Sequence, residues 1–183
     1  MRNNTGGSGF LGRLVGAAAL RPAIYEEVEA DRGANGQALA VVVLSGVAAG
    51  VGARGFGAGR LSDVAFFTLL ALATWGLWAV LTYQLGARIM PERQTNADLG
   101  ELLRTLGFAA APGVIHLAAL VPGLARPVFA LAAVWMLLAM IVAVRQALDY
   151  RTTRHAVAVC LAGWLLAIGF ALAIGLLFGP AVS

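Results

Sequence analysis

Stretches without a formal charge alternate along this chain with short segments that hold the arginines. The uncharged runs occupy residues 33–53, 64–87, 105–125, 127–144 and 155–183. Each meets the requirement of roughly 20 apolar residues for one helical crossing of a bilayer. The pattern predicts five spans, at about residues 37–53, 64–87, 105–122, 127–145 and 156–178. The expected fold class is all-α, a polytopic integral membrane protein with five transmembrane helices. Residues 1–36 form a cytoplasmic N-terminal segment with amphipathic helices, residues 37–178 the membrane domain, and residues 179–183 a short tail on the other side.

The polar segments carry their own patterns. "MRNNTGGSG" reads as a polar tail. Phe10, Leu11, Leu14, Val15 and Ala18 then recur at helical spacing, which predicts a short helix lying on the membrane surface. Arg13 interrupts its apolar face and argues against a secretion signal. Pro22 suits the first turn of a second helix, "PAIYEEVEADR". Its acids Glu26, Glu27, Glu29 and Asp31 crowd together, while Ile24 and Val28 share one side. This reads as a solvated acidic face with a small packing stripe, the alternative being a docking helix. In the loop after span two, Thr95 and Asp98 have capping-box spacing, and Asp98 and Glu101 suit the positive end of a helix. Leu99, Leu102, Leu103 and Leu106 give that helix an apolar face running into span three. At the end of span four, Arg145 and Asp149 stand four apart and are expected to pair on one face. Thr152 or Thr153 can cap span five, and the short link makes spans four and five an antiparallel hairpin.

Composition supports the membrane reading. Hydrophobic residues make up 60% of the chain, charged residues 12%, and the mean hydropathy is +0.83. A soluble domain of 183 residues could not hide that much apolar surface. The 13 basic residues are all arginine and gather at span ends, so they orient the chain and are no nucleic-acid footprint. With the N-terminus inside, Arg2, Arg13, Arg21, Arg32, Arg88, Arg93, Arg104, Arg145, Arg151 and Arg154 are cytoplasmic. Only Arg54, Arg60 and Arg126 are then outside, and the C-terminus lies outside too. The absence of lysine hints at a GC-rich bacterial genome and hence a bacterial cytoplasmic membrane. Cys160 is the single cysteine, so no intrachain disulfide forms.

Catalytic chemistry is not visible. No HExxH, CxxC, GxSxG or Walker A pattern occurs, and no acid lies well inside a span. His116 and His155 are expected at different depths. The expectation is a non-enzyme without catalytic, cofactor or metal residues. Residues 50–55 match G-x-G-x-x-G, but they follow a membrane span rather than a strand, so the match carries no dinucleotide site. Gly46 and Gly50, like Gly175 and Gly179, have the spacing that permits close helix contact. Trp75 and Trp78 fall mid-span, where indoles pack against neighbours. In "GFAAAPGVIH", Gly107 and Pro112 predict a bent third span that frees a carbonyl near Phe108, and the freed groups require the segment to face the bundle. His116 is expected to bond to a neighbouring span.

The element Gly107, Phe108, Pro112 within a five-span chain resembles the Yip family, the Ypt/Rab-interacting membrane proteins and their relatives. "LRPAIYEEVEAD" and "VWMLLAMIVAVRQALDY" look like the bacterial branch, and the likeness spans about residues 20–178. It implies a multispan helical fold. The eukaryotic branch binds prenylated small GTPases and serves vesicle traffic. This chain lacks the Asp-Leu-Tyr-Gly-Pro motif of that branch, so the resemblance carries fold over and leaves GTPase binding behind. The expected function is a non-enzymatic interaction or membrane-organising component. The alternatives are a transporter or channel subunit, or a small accessory subunit of a larger complex. Membrane lipids, a membrane or peripheral protein, or a second copy of the chain are the expected partners. The expected cytoplasmic interaction surface comprises Tyr25, Glu26 and Glu29 before span one and Arg145, Asp149 and Tyr150 after span four.

Overall fold

The computed structural model describes residues 9–56, 61–92, 95 and 98–178. Residues 1–8, 57–60, 93–94, 96–97 and 179–183, and with them Arg2, Arg60, Arg93 and Gly179, lie outside the described residues. Among those described the structure is helical, with no strand. In order come α1 (Phe10–Ala18), α2 (Pro22–Ala30), α3 (Asn35–Gly52), α4 (Leu61–Thr82), α5 (Leu99–Ala109), α6 (Ala125–Ala147) and α7 (Thr153–Phe178). Two of these continue in another helical form. α4 passes into a π-helix at Tyr83–Ile89, and α5 into a 3-10 helix at Ala111–Leu120.

Four stretches of described residues are long and apolar enough to cross a membrane: Arg32–Gly52, Val64–Ile89, Leu99–Leu120 and Ala125–Ala147. α7 is a further helix of 26 residues. The third stretch is the hub. In its most apolar window 67% of residues are buried, against 12% in the second stretch, so protein encloses the third stretch far more than the second. The third stretch lies between α3 and α6.

Glycine sets the approach of the first and third stretches. Gly107 lies against Ala38, Gly113 against Ser45, and Gly52 against the backbone of His116. The α3 positions Ala38, Ser45 and Gly52 are seven apart, so they form one stripe facing the third stretch. A β-carbon on Gly107 would stand 2.7 Å from the Ala38 Cβ, and one on Gly113 or Gly52 would overlap Ser45 or the His116 carbonyl.

The expected bend takes another form. Pro112 has no N–H to offer the carbonyl one turn back. The chain tightens instead. Ala110 N–H donates to the Gly107 carbonyl at 3.2 Å, and Gly113 N–H to that of Ala110 at 2.9 Å. The Phe108 carbonyl is not freed, because a backbone N–H at the end of α5 is bonded to it. The 3-10 form then persists for ten residues, well beyond its usual three or four. At about 2.0 Å per residue it extends about 5 Å further than α-helix would over ten residues.

Three local expectations need correction. The capping box is formed by Asp98 and Glu101: Asp98 Oδ1 accepts from Glu101 N–H and Glu101 Oε2 from Asp98 N–H, each at 2.9 Å. Thr95 is not part of it and accepts from Glu92 N–H. His116 does not bond to a neighbouring span. Its Nδ1 lies 2.6 Å from the Gly113 carbonyl within its own segment, and its ring packs 4.4 Å from that of Phe129 on α6. Nor does α1 lie alone on a surface. It folds back on α2 as a helical hairpin, turning at Leu20 with a left-handed φ of 57°, and contacts both halves of the third stretch.

The glycine seam yields a mutational contrast. Gly52→Ala pushes a methyl into the His116 backbone, which cannot rotate away, and is expected to destabilise the fold by about 1–3 kcal/mol. Gly76, inside α4, has nothing within 4 Å of its would-be β-carbon. Gly76→Ala is therefore expected to be neutral or slightly stabilising. Thermal unfolding of both variants in one detergent measures the difference.

Candidate interaction surface

The acids of α2 do not share one solvated face. Glu27 and Asp31, four apart, turn toward α1 and hold Arg13. Arg13 Nε donates to Glu27 at 3.0 Å, one terminal nitrogen pairs with Asp31 at 2.8 Å, and the other reaches Gln37 at 3.0 Å. Arg13 is buried, which this set of partners allows. Asp31 also accepts from Gly33 N–H and starts the 3-10 turn before α3. The Arg13 and Gly33 hydrogen bonds hold its carboxyl below the usual carboxylate range.

Glu26 and Glu29 point the other way. They meet Glu101 from the first turn of α5 and Gln146 and Asp149 from the end of α6, around a cavity of about 390 Å³ that also touches Ala30. Gln146 Nε2 donates to Glu26 at 2.6 Å and ties α2 to α6. Burial and then the nearby carboxylates of Asp149, Glu101 and Glu26 push the Glu29 carboxyl up to about 7, while Arg104 opposes the rise.

Arg104 explains why α2 sits there. Its side chain is buried, and its Nε donates to the carbonyls of Val28 and Glu29, both at 3.1 Å. These are last-turn carbonyls of α2, which lack helical N–H partners and carry the negative end of the helix dipole. A terminal nitrogen of Arg104 reaches Asn35 Oδ1 at 3.4 Å, where α3 begins.

Of the residues expected at this surface, Glu26, Glu29 and Asp149 converge. Tyr25 and Tyr150 do not present themselves. Tyr25 is fully buried, and its hydroxyl donates to the Ala17 carbonyl at 3.0 Å. Burial raises its pKa above the ordinary value. The Tyr150 hydroxyl lies 3.0 Å from the carbonyls of both Gly86 and Met90, at the π-helix. Burial first, then the neighbouring Glu92, pushes it up to about 12. Arg145 turns aside, with Nε 3.4 Å from the Tyr150 carbonyl. α6 ends at Ala147, and Asp149 has a φ of 51°, so the one helix face expected to carry Arg145 and Asp149 does not extend that far. Four carboxylates, those of Glu26, Glu29, Glu101 and Asp149, line the cavity together.

The structural motif faces the bundle. Gly107, Phe108, Pro112 and His116 are all buried. This segment, α2 and the spans around it fall within one family match: a model of the Yip1 domain matches residues 18–175. The chain belongs to the Yip1-domain family. No curated protein and no solved structure matches it.

Sequence reasoning about this Yip1-domain chain missed Glu101, Gln146 and Arg104 as members of one site. Glu101 was assigned only to a helix start, and Arg104 only to a span boundary. The available signal was that each is a polar residue at a predicted helix or span end on the arginine-rich side. A second polar knot closes the same end of the bundle. Glu92 lies 2.7 Å from His155 Nδ1, accepts from Arg151 N–H at 3.1 Å, and so ties the loop after the π-helix to the start of α7.

The raised Glu29 carboxyl gives a pH signature. The folded state holds this proton more tightly than the unfolded chain, so stability falls as pH rises from the ordinary 4.5 through about 7. Glu29→Gln is expected to raise the unfolding temperature at pH 8 and to leave it unchanged at pH 4. Thermal unfolding of both proteins across that range measures the difference.

Proposed function

We propose that this Yip1-domain membrane protein is a non-enzymatic interaction component, and that its acidic cleft receives a cationic segment of a membrane or peripheral partner protein. The observation that carries this reading is the convergence of Glu26, Glu29, Glu101 and Asp149 from three separate parts of the chain onto one cavity. Carboxylates held together in one cleft repel one another. An arginine or lysine entering it relieves that repulsion and gains charge-assisted hydrogen bonds. Arg104 offsets part of the repulsion at Glu29, but its hydrogen bonds go to backbone carbonyls and Asn35 and none to the carboxylates.

The arginine asymmetry supports placing the cleft on the cytoplasmic side of a bacterial cytoplasmic membrane, with five spans, the N-terminus inside and the C-terminus outside. A reporter fused after Ser183 is expected to be active only on the non-cytoplasmic side. Activity in the cytoplasm would reverse the orientation or remove a span.

Ala30 touches the cleft without contributing charge, so it suits a photo-crosslinking residue. Capture from Ala30 is expected, and is expected to fall severalfold when Glu26, Glu29 and Glu101 are changed together to glutamine. Leu120 and Val121, exposed at the opposite end of the bundle, serve as controls. Capture only from these controls, or capture from Ala30 that survives neutralisation, would defeat the proposal.

A further inference from the structure

The position of the α1–α2 hairpin along the spans carries a consequence for lipid. Trp135 Nε1 donates to the Ala18 carbonyl at 2.7 Å. Trp135 precedes Arg145 by ten residues, about 15 Å along the helix, which is half of a hydrocarbon core of about 30 Å. The last residue of α1 is thus held near the middle of a span, not at its end.

The hairpin is also equipped for such a place. Lipid demands that backbone polar groups be satisfied within the protein. At the tip, Leu20 N–H donates to Ala17, Arg21 N–H donates to Gly16, and the carbonyls of Ala17 and Ala18 accept from Tyr25 and Trp135. The buried Arg13 is neutralised by Glu27 and Asp31. Arg21 is exposed at the tip, and its stem carries the guanidinium part of the way toward the headgroups. On the outer edge of α1, Leu11 and Val15 stand four apart and are 71% and 64% exposed. On α6, Leu131 and Leu138 are exposed on the same face as Trp135, the residue that bonds α1. The bare edge of α1 thus continues a lipid-facing surface.

We propose that the hairpin is re-entrant: it enters the leaflet on the arginine-rich side, and its Leu11–Val15 edge is seated against lipid acyl chains. The reading is independent of the acidic cleft and of any protein partner.

Single-site nitroxide labelling in vesicles of phosphatidylethanolamine and phosphatidylglycerol tests it. Cys160→Ala supplies the background, and cysteines replace Leu11, Val15, Leu138 as the lipid reference and Arg151 as the water reference. Labels at Leu11 and Val15 are expected to match Leu138, with contact to oxygen severalfold above that of Arg151 relative to a water-soluble nickel chelate. Chelate contact equal to that at Arg151 would overturn the proposal. Dipolar broadening between labels on two chains would also overturn it, by making a second copy the occupant. Trp135→Phe, which removes the deep anchor and keeps an aromatic ring, is expected to shift the Leu11 label toward the chelate. An unchanged depth there would deny Trp135 its part in the seating.

Discussion

Arg104 is the buried charge on which the hairpin end of the molecule rests. An arginine inside a bundle is costly unless its donors are satisfied. Here backbone carbonyls of α2, assisted by Asn35, satisfy them. The arrangement serves both sides. α2 is only nine residues long, too short to be stable alone, and its last carbonyls need donors. The arginine in turn needs acceptors and a negative potential, and a helix C-terminus offers both. Replacing Arg104 by an apolar residue would strand carbonyls of Val28 and Glu29 and release the end of α2.

Once α2 is pinned by its end, the separation of its acids follows from helix geometry. Glu27 and Asp31 lie on the side facing α1, where Arg13 takes them, and Glu26 and Glu29 lie on the side facing α5 and α6. The same pinning buries Tyr25, whose ring fills the space between the two hairpin helices. The cleft is thus a by-product of docking one short helix across two spans. Its carboxylates come from segments whose placement is decided elsewhere: Glu101 by its capping role, and Asp149 by the turn after α6.

Four of the spans and the helical class were legible because long hydrophobic runs bounded by charged residues have one physical reading at that length. The bundle-facing role of Gly107 and Pro112 was legible for a similar reason, since a missing donor and a missing side chain are tolerated where protein supplies contacts. The 3-10 form was not. Proline removes a hydrogen bond in either helix type. The tighter form is seen where Gly113 lies on Ser45 and His116 on Gly52, contacts that depend on the partner helix. At the cleft, sequence position alone could place Tyr25 and Tyr150 beside acids but not say that their rings turn inward. A tyrosine near charges reads as interfacial, and only the hairpin and the π-helix provide the carbonyls that draw the hydroxyls in. The π-helix has no clear mark in sequence, although Gly86 admits Leu148 and Tyr150 against its backbone.

The tryptophans show how such a bundle spends its spare acceptors. An indole within a span brings one N–H that lipid cannot satisfy. Helix interiors offer few free carbonyls, so the donor must find a helix end or share a carbonyl already in use. Trp135 takes the first course at Ala18, the end of α1, and Trp75 the second at Leu103, inside α5. Each bond joins elements far apart in sequence. Trp78 packs instead against Gly163 on α7, and its N–H has no hydrogen-bond partner among the described residues. Mid-span indoles in this chain are therefore more than apolar filler. Trp75 ties α4 to α5, and Trp135 ties the tip of the short N-terminal hairpin to α6, a bond the hairpin's own amphipathic pattern does not supply.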